Sequence, residues 1–409
     1  MYTYVSVLLL FINVQFWIVG GQDDTANAWE DAKLLYGQIY NHYYNEGTPL
    51  TDVLPVQGSV PVYVYMAMKL TSLNGFDAVA GQIDIAGSMS MSWMDIIQPP
   101  IRGKSEVILG TVLIDYENAW SPRVVLTNAV DTVKDIADTT YKLRYTFSEV
   151  ASGNYTANVT WEPRVLLRAS CEPDVTFYPF DRQVCDVTYT AWAYTKDEVK
   201  LIVPTSEWDT SAAEGNGVWK IISTESEAFV SNDAYNVRFR ITIQREPLYF
   251  TFNIGLPILL LGLLNGFVFL LPAESGERIG FCITCFLSFI VLMQTTMSFL
   301  PELANPMSLL CIYVFLMMCF SVFINITCIF MLRIYHMPEG TKVPNWMQMI
   351  VRVIGCKVCR CCDKDKSMPL PEVEWPEVGR MLDFFFFLAF IAAQTTLTIF
   401  FLLPLATRF

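Results

Sequence analysis

The sequence predicts two unlike parts in one chain (a β + α architecture): an extracellular β-sandwich with an N-terminal helix, followed by a bundle of four membrane-crossing helices. Three observations carry this expectation. Four long apolar stretches, each able to cross a hydrocarbon core of about 30 Å, lie in the second half of the 409 residues. Ahead of them, apolar and polar residues alternate in short runs broken by turn residues. The charge is also divided: 30 acids against 17 bases from Asp23 to Glu246, but ten of each from Pro247 onward, within a net charge of -13. With 14% aromatic and only 16% charged residues, the chain is neither disordered nor an ordinary soluble protein. The acidic balance argues against nucleic acid as a partner. Two histidines, His42 and His336, are too few for a histidine-built metal or catalytic site.

In chain order, residues 1–21 read as a secretory signal peptide, apolar and ending in small residues at Val19-Gly20-Gly21, although a charged leading region is missing. The outer domain is expected over residues 22–247. Its helix, Ala28–Tyr43, spaces Leu34, Leu35 and Ile39 for one face. In Val60–Leu70, Val62, Val64, Met66, Met68 and Leu70 alternate as in a half-buried strand; Ile83, Ile85, Met89 and Met91 continue less regularly, and Val237, Phe239, Ile241 and Ile243 alternate again. Turns are marked by Asn74-Gly75, Ser152-Gly153-Asn154 and Gly215-Asn216-Gly217. Of 11 cysteines only Cys171 and Cys185 fall in this domain, and a lone pair in an oxidising compartment is expected to form a disulfide. Asn154 and Asn158 open glycosylation sequons on the same exposed side. Asn325 opens another, but inside an apolar span, and is disregarded.

The spans are Leu248–Leu271, Ile279–Leu300 and Met307–Leu332, which together define a membrane segment at 248–332, and Met381–Ala406, within a final segment at 381–409. A secretory signal and four crossings leave the N-terminal domain and the tail Thr407–Phe409 outside. The connection 333–380 then faces the cytoplasm, and Arg333, Lys342, Arg352, Lys357, Arg360, Lys364 and Lys366 in it agree with the basic bias of cytoplasmic loops. Within it Trp346, Met347, Ile350, Val351, Val353 and Ile354 form an apolar face suited to a helix at the membrane surface. The cluster Cys356-x-x-Cys359-x-Cys361-Cys362 follows without a histidine, and lipidation, free thiols and a metal site all stay open for it. In the second span Gly280, Thr284, Leu287, Val291, Gln294 and Ser298 recur at intervals of four and three, which places them on one helical stripe. The stripe is small or polar at its ends and apolar in its middle. That suits a water-lined surface with a constriction, or a packing stripe of small residues.

The most specific stretch is Cys171-Glu-Pro-Asp-Val-Thr-Phe-Tyr-Pro-Phe-Asp181-Arg-Gln-Val-Cys185. It closely resembles the signature loop of the Cys-loop receptors, the pentameric ligand-gated ion channels. Gln244-Arg245-Glu246-Pro247-Leu248-Tyr249-Phe250 ahead of the first span, Glu274-Ser275-Gly276-Glu277-Arg278 ahead of the second and Pro344-Asn345-Trp346 after the third extend the resemblance over nearly the whole mature chain. It is greatest to nicotinic acetylcholine receptor subunits. The resemblance implies a multi-pass plasma-membrane subunit that assembles as a pentamer with identical or related subunits and is surrounded by membrane lipid. It also implies a small cationic ligand and permeant monovalent cations, with no cofactor, no metal and no enzymatic chemistry. Five copies of the second span would make a narrow channel with its gate at Leu287, able to close by dewetting. Glu277 would form a ring of carboxylates favouring cations, with Glu274 as a second ring, and the Pro-Ala insertion typical of anion-conducting members is absent. Ser298 stands where nicotinic subunits usually carry an acid or other polar group.

Two further sets of residues follow from the resemblance. Phe177, Pro179 and Phe180 at the tip of the loop would press on the linker between spans two and three (Leu300–Pro306), and Arg245 would couple with Asp181 as its carboxylate partner. Arg245 also suits simple snorkelling at the membrane edge. The acid usual after the first strand is replaced by Ala78, with Asp77 one residue off. For the ligand, Trp192 matches the central tryptophan of an aromatic cation box, Phe229 and Tyr235 would supply the capping loop, and Tyr194 would flank it. Thr127 stands where nicotinic subunits have tyrosine, Ser88 where the opposing face has tryptophan, and Ser231-Asn-Asp-Ala-Tyr235 where the capping loop has adjacent cysteines; Glu162 would face the neighbour's box. This partial cage fits a channel with an unfamiliar agonist, as in an invertebrate orphan member, or an accessory subunit of a heteromer without a working agonist site. A membrane-tethered adhesion module is the remaining alternative, and it has no use for Glu277 or Leu287.

Overall fold

The computed structural model describes residues 22–45, 48–49, 53–55, 61–102, 106–131, 136, 140–151, 154–273, 276–302, 307–338, 341–358 and 373–406. The expected signal peptide, Glu274, Cys359, Cys361, Cys362 and the tail Thr407–Phe409 lie outside the described residues, as do Leu303–Pro306 of the linker and the side chains of Asn154 and Cys356. Two compact units result. One takes the chain up to Asp77 with Gln82–Glu172 and Val184–Ile243; the other takes Ala78–Gly81, Pro173–Gln183 and Gln244 onward.

The first unit opens with helix α1 (Gln22–Tyr43). Its buried stripe is Leu35, Ile39 and Tyr43, at intervals of one helical turn. Leu34, expected on this face, is 45% exposed, because one residue along a helix turns the side chain by about 100°. The Tyr43 hydroxyl donates to Asp95 Oδ2 at 2.6 Å, and Tyr145 donates to the same oxygen at 2.9 Å. Burial raises the Asp95 carboxyl above its usual range.

The main strands are β1 (Val62–Asp77), β2 (Gln82–Asp95), β3 (Gly110–Ile114), β4 (Val124–Leu126), β5 (Leu143–Ala151), β6 (Asn154–Trp161), β7 (Arg164–Ser170), β8 (Arg182–Ala191), β9 (Val199–Ile202), β10 (Trp219–Ser231) and β11 (Ala234–Arg245). A seven-stranded sheet runs β9-β1-β2-β6-β5-β3, with β7 also on β2; a four-stranded sheet runs β10-β11-β8-β4. The alternating residues of β1, β2 and β11 read from the sequence are all buried. Gly87 is required in β2: a Cβ there would lie 2.3 Å from the Lys69 carbonyl oxygen. Trp93 and Trp120 meet edge to face at 5.7 Å in the core. Cys171 and Cys185 are bonded.

The second unit holds four helices long and apolar enough to cross a membrane: α2 (Leu248–Leu270), α3 (Arg278–Met297), α4 (Leu309–Tyr335) and α6 (Trp375–Ala406), with α5 (Asn345–Val358) between the last two. Helix α2 carries a π turn at Thr251–Gly255, just ahead of Pro257, which lacks the N–H that an α-helical turn would use. Helix α4 continues to Tyr335 and α6 begins at Trp375, so both run past the apolar stretches seen in the sequence. Gly262 and Gly266 of α2 let Gln394 and Ile391 of α6 approach closely. On α5, Met347 and Val351 pack on a small cluster with Val343, Val373 and Val378, while Trp346 and Ile350 are exposed.

Candidate functional site

Helix α3 has two faces. Arg278, Cys282, Cys285, Phe289 and Thr296 are buried within the chain. Gly280, Thr284, Leu287, Val291, Gln294 and Ser298 are all exposed on the other side, as is Glu277 at the helix start. Leu287 and Val291, both large and apolar, are 54% and 64% exposed. The division follows from the 3.6-residue repeat, since residues four and three apart share a face. The hydroxyls of Thr284 and Thr295 donate to carbonyls one turn back, so both hydroxyl protons are satisfied within the helix.

The buried face is anchored by a pair absent from the sequence expectations. Arg278 at the foot of α3 makes a two-pronged salt bridge with Asp383 of α6, through Nη1 at 3.0 Å and through Nη2. Both residues are buried, and the guanidinium also lies 5.4 Å from the Phe269 ring. Charges inside apolar spans need partners. That rule would have flagged Asp383, the lone carboxylate in the apolar stretch Met381–Ala406, as one half of a pair.

Around the signature loop, Asp181 and Arg245 meet in a buried two-pronged ion pair, Nε to Oδ1 at 2.7 Å and Nη2 to Oδ2 at 3.1 Å. The Gln183 amide donates to Asp181 Oδ2 at 2.6 Å. The guanidinium lies over Tyr178 and Phe250, 5.0 and 5.1 Å from their ring centres. Snorkelling at a membrane edge does not account for this enclosure. Burial pushes the Tyr178 hydroxyl well up. Pro179 is buried, whereas Phe177 and Phe180 are half-buried. The Leu309 N–H, at the start of α4, donates to the Thr176 carbonyl at 3.0 Å. Phe250 in turn meets Phe299 at 6.1 Å. Ala78 is buried in this unit.

In the sandwich, Trp192 follows the end of β8 and is 56% exposed, and its backbone N–H donates to the Arg123 carbonyl at 2.8 Å. It is not a core tryptophan; Trp93 and Trp120 fill that place. Ala193 turns the chain at φ 66, a left-handed conformation that is uncommon without glycine. Tyr194 stands 6.3 Å from Trp120. Phe229 and Tyr235 lie on the β10–β11 hairpin, and each ring already faces a cation of its own chain: Arg238 at 4.7 Å from Phe229, Lys200 at 5.6 Å from Tyr235. Lys200 also lies 5.7 Å from Tyr63. Sequence spacing gave no sign of these cations. Asp233 at the hairpin tip pairs with Lys196 at 3.0 Å. Thr127 is tied to β8 by its hydroxyl on the Thr188 carbonyl at 2.9 Å. Ser88 is half-buried on β2, and Glu162 is exposed, accepting from Ser90 at 3.5 Å. Asn158 is exposed on β6. Among the described residues no cluster of three or more His, Cys, Asp or Glu is gathered as a metal site.

Comparison with known proteins gives two family matches. Residues 32–247 match the neurotransmitter-gated ion-channel ligand binding domain, and residues 254–360 match the neurotransmitter-gated ion-channel transmembrane region. The acetylcholine receptor subunit beta-type unc-29 of Caenorhabditis elegans is 25% identical over 80% of this chain and 64% of its own length. The neuronal acetylcholine receptor subunit alpha-6 of Mus musculus is 26% identical over 78% of this chain and 63% of its own length. The acetylcholine receptor subunit beta-type lev-1 of C. elegans is 28% identical over 73% and 57%. The chain thus spans a little under two thirds of the length of these relatives.

Proposed function

Because the chain belongs to the neurotransmitter-gated ion-channel family, we propose that it is a subunit of a cation-selective pentameric channel of the plasma membrane, opened by a small ligand bound at the outer interfaces between subunits. The observation that carries this reading is the exposed stripe of α3. One chain leaves Leu287 and Val291 uncovered while packing the opposite face around Arg278. Five copies turned stripe-inward would enclose a pore with an apolar constriction at Leu287 and Val291 and polar mouths at Gly280, Thr284, Gln294 and Ser298. A ring of Glu277 carboxylates at one mouth would concentrate cations and repel anions. Arg245, Asp181, Phe177, Pro179 and Phe180 would carry ligand-induced movement to α2 and α4, as the contacts of Arg245 with Phe250 and of Thr176 with Leu309 support.

The exposed Trp192 face supports a cationic ligand, with Tyr194, Phe229, Tyr235, Thr127 and a neighbour's Ser88 and Glu162 around it. The relatives are named for acetylcholine. Here Arg238 and Lys200 already lie over Phe229 and Tyr235. That observation favours a second reading, an accessory subunit that joins heteromers and contributes the pore without an agonist site.

Expressing the chain alone with Leu287→Thr separates these readings without an agonist. Polar side chains at the constriction should wet it and leave a standing current. A reversal potential that follows external sodium supports the homomeric cation channel; one that follows chloride overturns the role of Glu277. Surface protein without current in either ion selects the accessory subunit.

A further inference from the structure

Cys282 of α3 and Cys328 of α4 stand with their sulfurs 3.3 Å apart. Each is 1% exposed, and both belong to an apolar cluster with Val268, Phe269 and Ile324. The pore reading makes no use of either. Two features separate the pair from an ordinary apolar contact. A disulfide is about 2.05 Å long, so bonding asks the sulfurs to close by roughly 1.2 Å. The pair is also not sealed in. A cavity of 360 Å³ has both cysteines in its wall, with Ile279, Ile283, Phe286 and Asn325 among its other residues. That lining is almost wholly apolar and suits lipid-soluble reagents over aqueous ones.

We propose that Cys282 and Cys328 form a redox-sensitive modification site, closed to a disulfide by a membrane-soluble organic hydroperoxide and reopened by a thiol reductant. One thiol attacks the peroxide oxygen, the O–O bond breaks, and a sulfenic acid and an alcohol result. The second thiol attacks that sulfur, the S–S bond forms, and water leaves. Two thiols are oxidised and one peroxide is reduced, so the balance closes. The bridge joins residues 46 apart in sequence on two different helices. It therefore pins α3, whose opposite face carries Leu287, to α4. The current readout rests on the pore reading above; the chemical readout does not.

The test uses the full chain in cell membranes treated with cumene hydroperoxide. Samples are denatured in an alkylating reagent and mapped by mass spectrometry. The expected result is a peptide pair joined through Cys282 and Cys328, released by reductant. It should be missing in Cys282→Ser and in Cys328→Ser, and unchanged in Cys285→Ser, which removes another buried thiol of α3. On the Leu287→Thr background the standing current should fall to background with hydroperoxide, recover with reductant and persist in Cys282→Ser. Full alkylation of both thiols after treatment, or oxidation of one alone to sulfinic acid, overturns the site. A cross-link that leaves the current unchanged overturns the pinning. If Leu287→Thr carries no current before any peroxide is added, the homomeric-channel reading has failed, and peptide mapping still decides the cysteine pair.

Discussion

Replacing Arg245 by Gln should destabilise the second unit strongly, and the size can be worked from its surroundings. The Asp181 side chain is 1% exposed and that of Arg245 is 7%, so neither charge is compensated by water once its partner is gone. Removing one member of a buried pair costs about 3–5 kcal/mol. The guanidinium also leaves the rings of Tyr178 and Phe250, a loss of about 0.5–1 kcal/mol for each cation–π contact. Against this, the Gln183 amide keeps one charge-assisted bond to Asp181, which draws the total to the lower part of the range. We expect about 4–5 kcal/mol for Arg245→Gln and about 3 kcal/mol for Asp181→Asn. The double variant puts two amides face to face and leaves no buried charge, so it should cost less than the singles together by about 2–3 kcal/mol. The assay is denaturant unfolding of the purified full chain in mixed micelles, followed by tryptophan fluorescence, for all four members of the cycle. Additivity within about 0.5 kcal/mol would refute the reasoning, because uncoupled residues behave in that way.

Gly87→Ala should disrupt the β1–β2 ladder, because its Cβ would meet the Lys69 carbonyl oxygen at 2.3 Å and backbone cannot rotate aside; overpacking of this kind costs about 1–3 kcal/mol or more, read as loss of surface-delivered protein. Asp383→Ala strands the buried Arg278 and should cost about 3–5 kcal/mol, with Asp383→Leu combined with Arg278→Met recovering much of the loss in thermal melting. The hydroxyls of Tyr43, Tyr145, Tyr178 and Tyr189 are all raised, in each case first by desolvation. A group raised in the folded state holds its proton longer there, so its contribution is complete below the unfolded value near ~10 and is lost as pH rises beyond it. Ultraviolet difference titration should show these four phenols silent until alkaline unfolding exposes them.

Much of the fold was legible because its signals are local. Alternation in Val62–Leu70 and Val237–Ile243 puts side chains on one face whatever the strand later pairs with, and each expected inward residue is buried. The α3 stripe was legible for the same reason: a helix fixes which residues share a face before it has neighbours. Leu34 marks the limit of such reading, since three apolar residues at positions 34, 35 and 39 span more than one face and only packing selects the buried one. The aromatics at Trp192, Phe229 and Tyr235 were nameable from the resemblance, but the cations over two of them were not. Lys200 reaches Tyr235 from β9, a strand of the other sheet, which no short-range pattern encodes, whereas Arg238 reaches Phe229 across the β10–β11 hairpin.

By itself the sequence determined the division into an acidic β domain and four apolar helices, the single cysteine pair of the outer domain and the polar-apolar-polar stripe of α3. These depend on composition and on repeats of two and 3.6 residues, which are properties of a short length of chain. Only the tertiary structure decided which charges meet. Asp181 and Arg245 are 64 residues apart, and Arg278 and Asp383 are 105 apart. It also decided that Cys282 and Cys328 come within 3.3 Å. Those partnerships depend on the rotation and depth of each helix against the next, which many residues set together through close packing and which no single segment specifies.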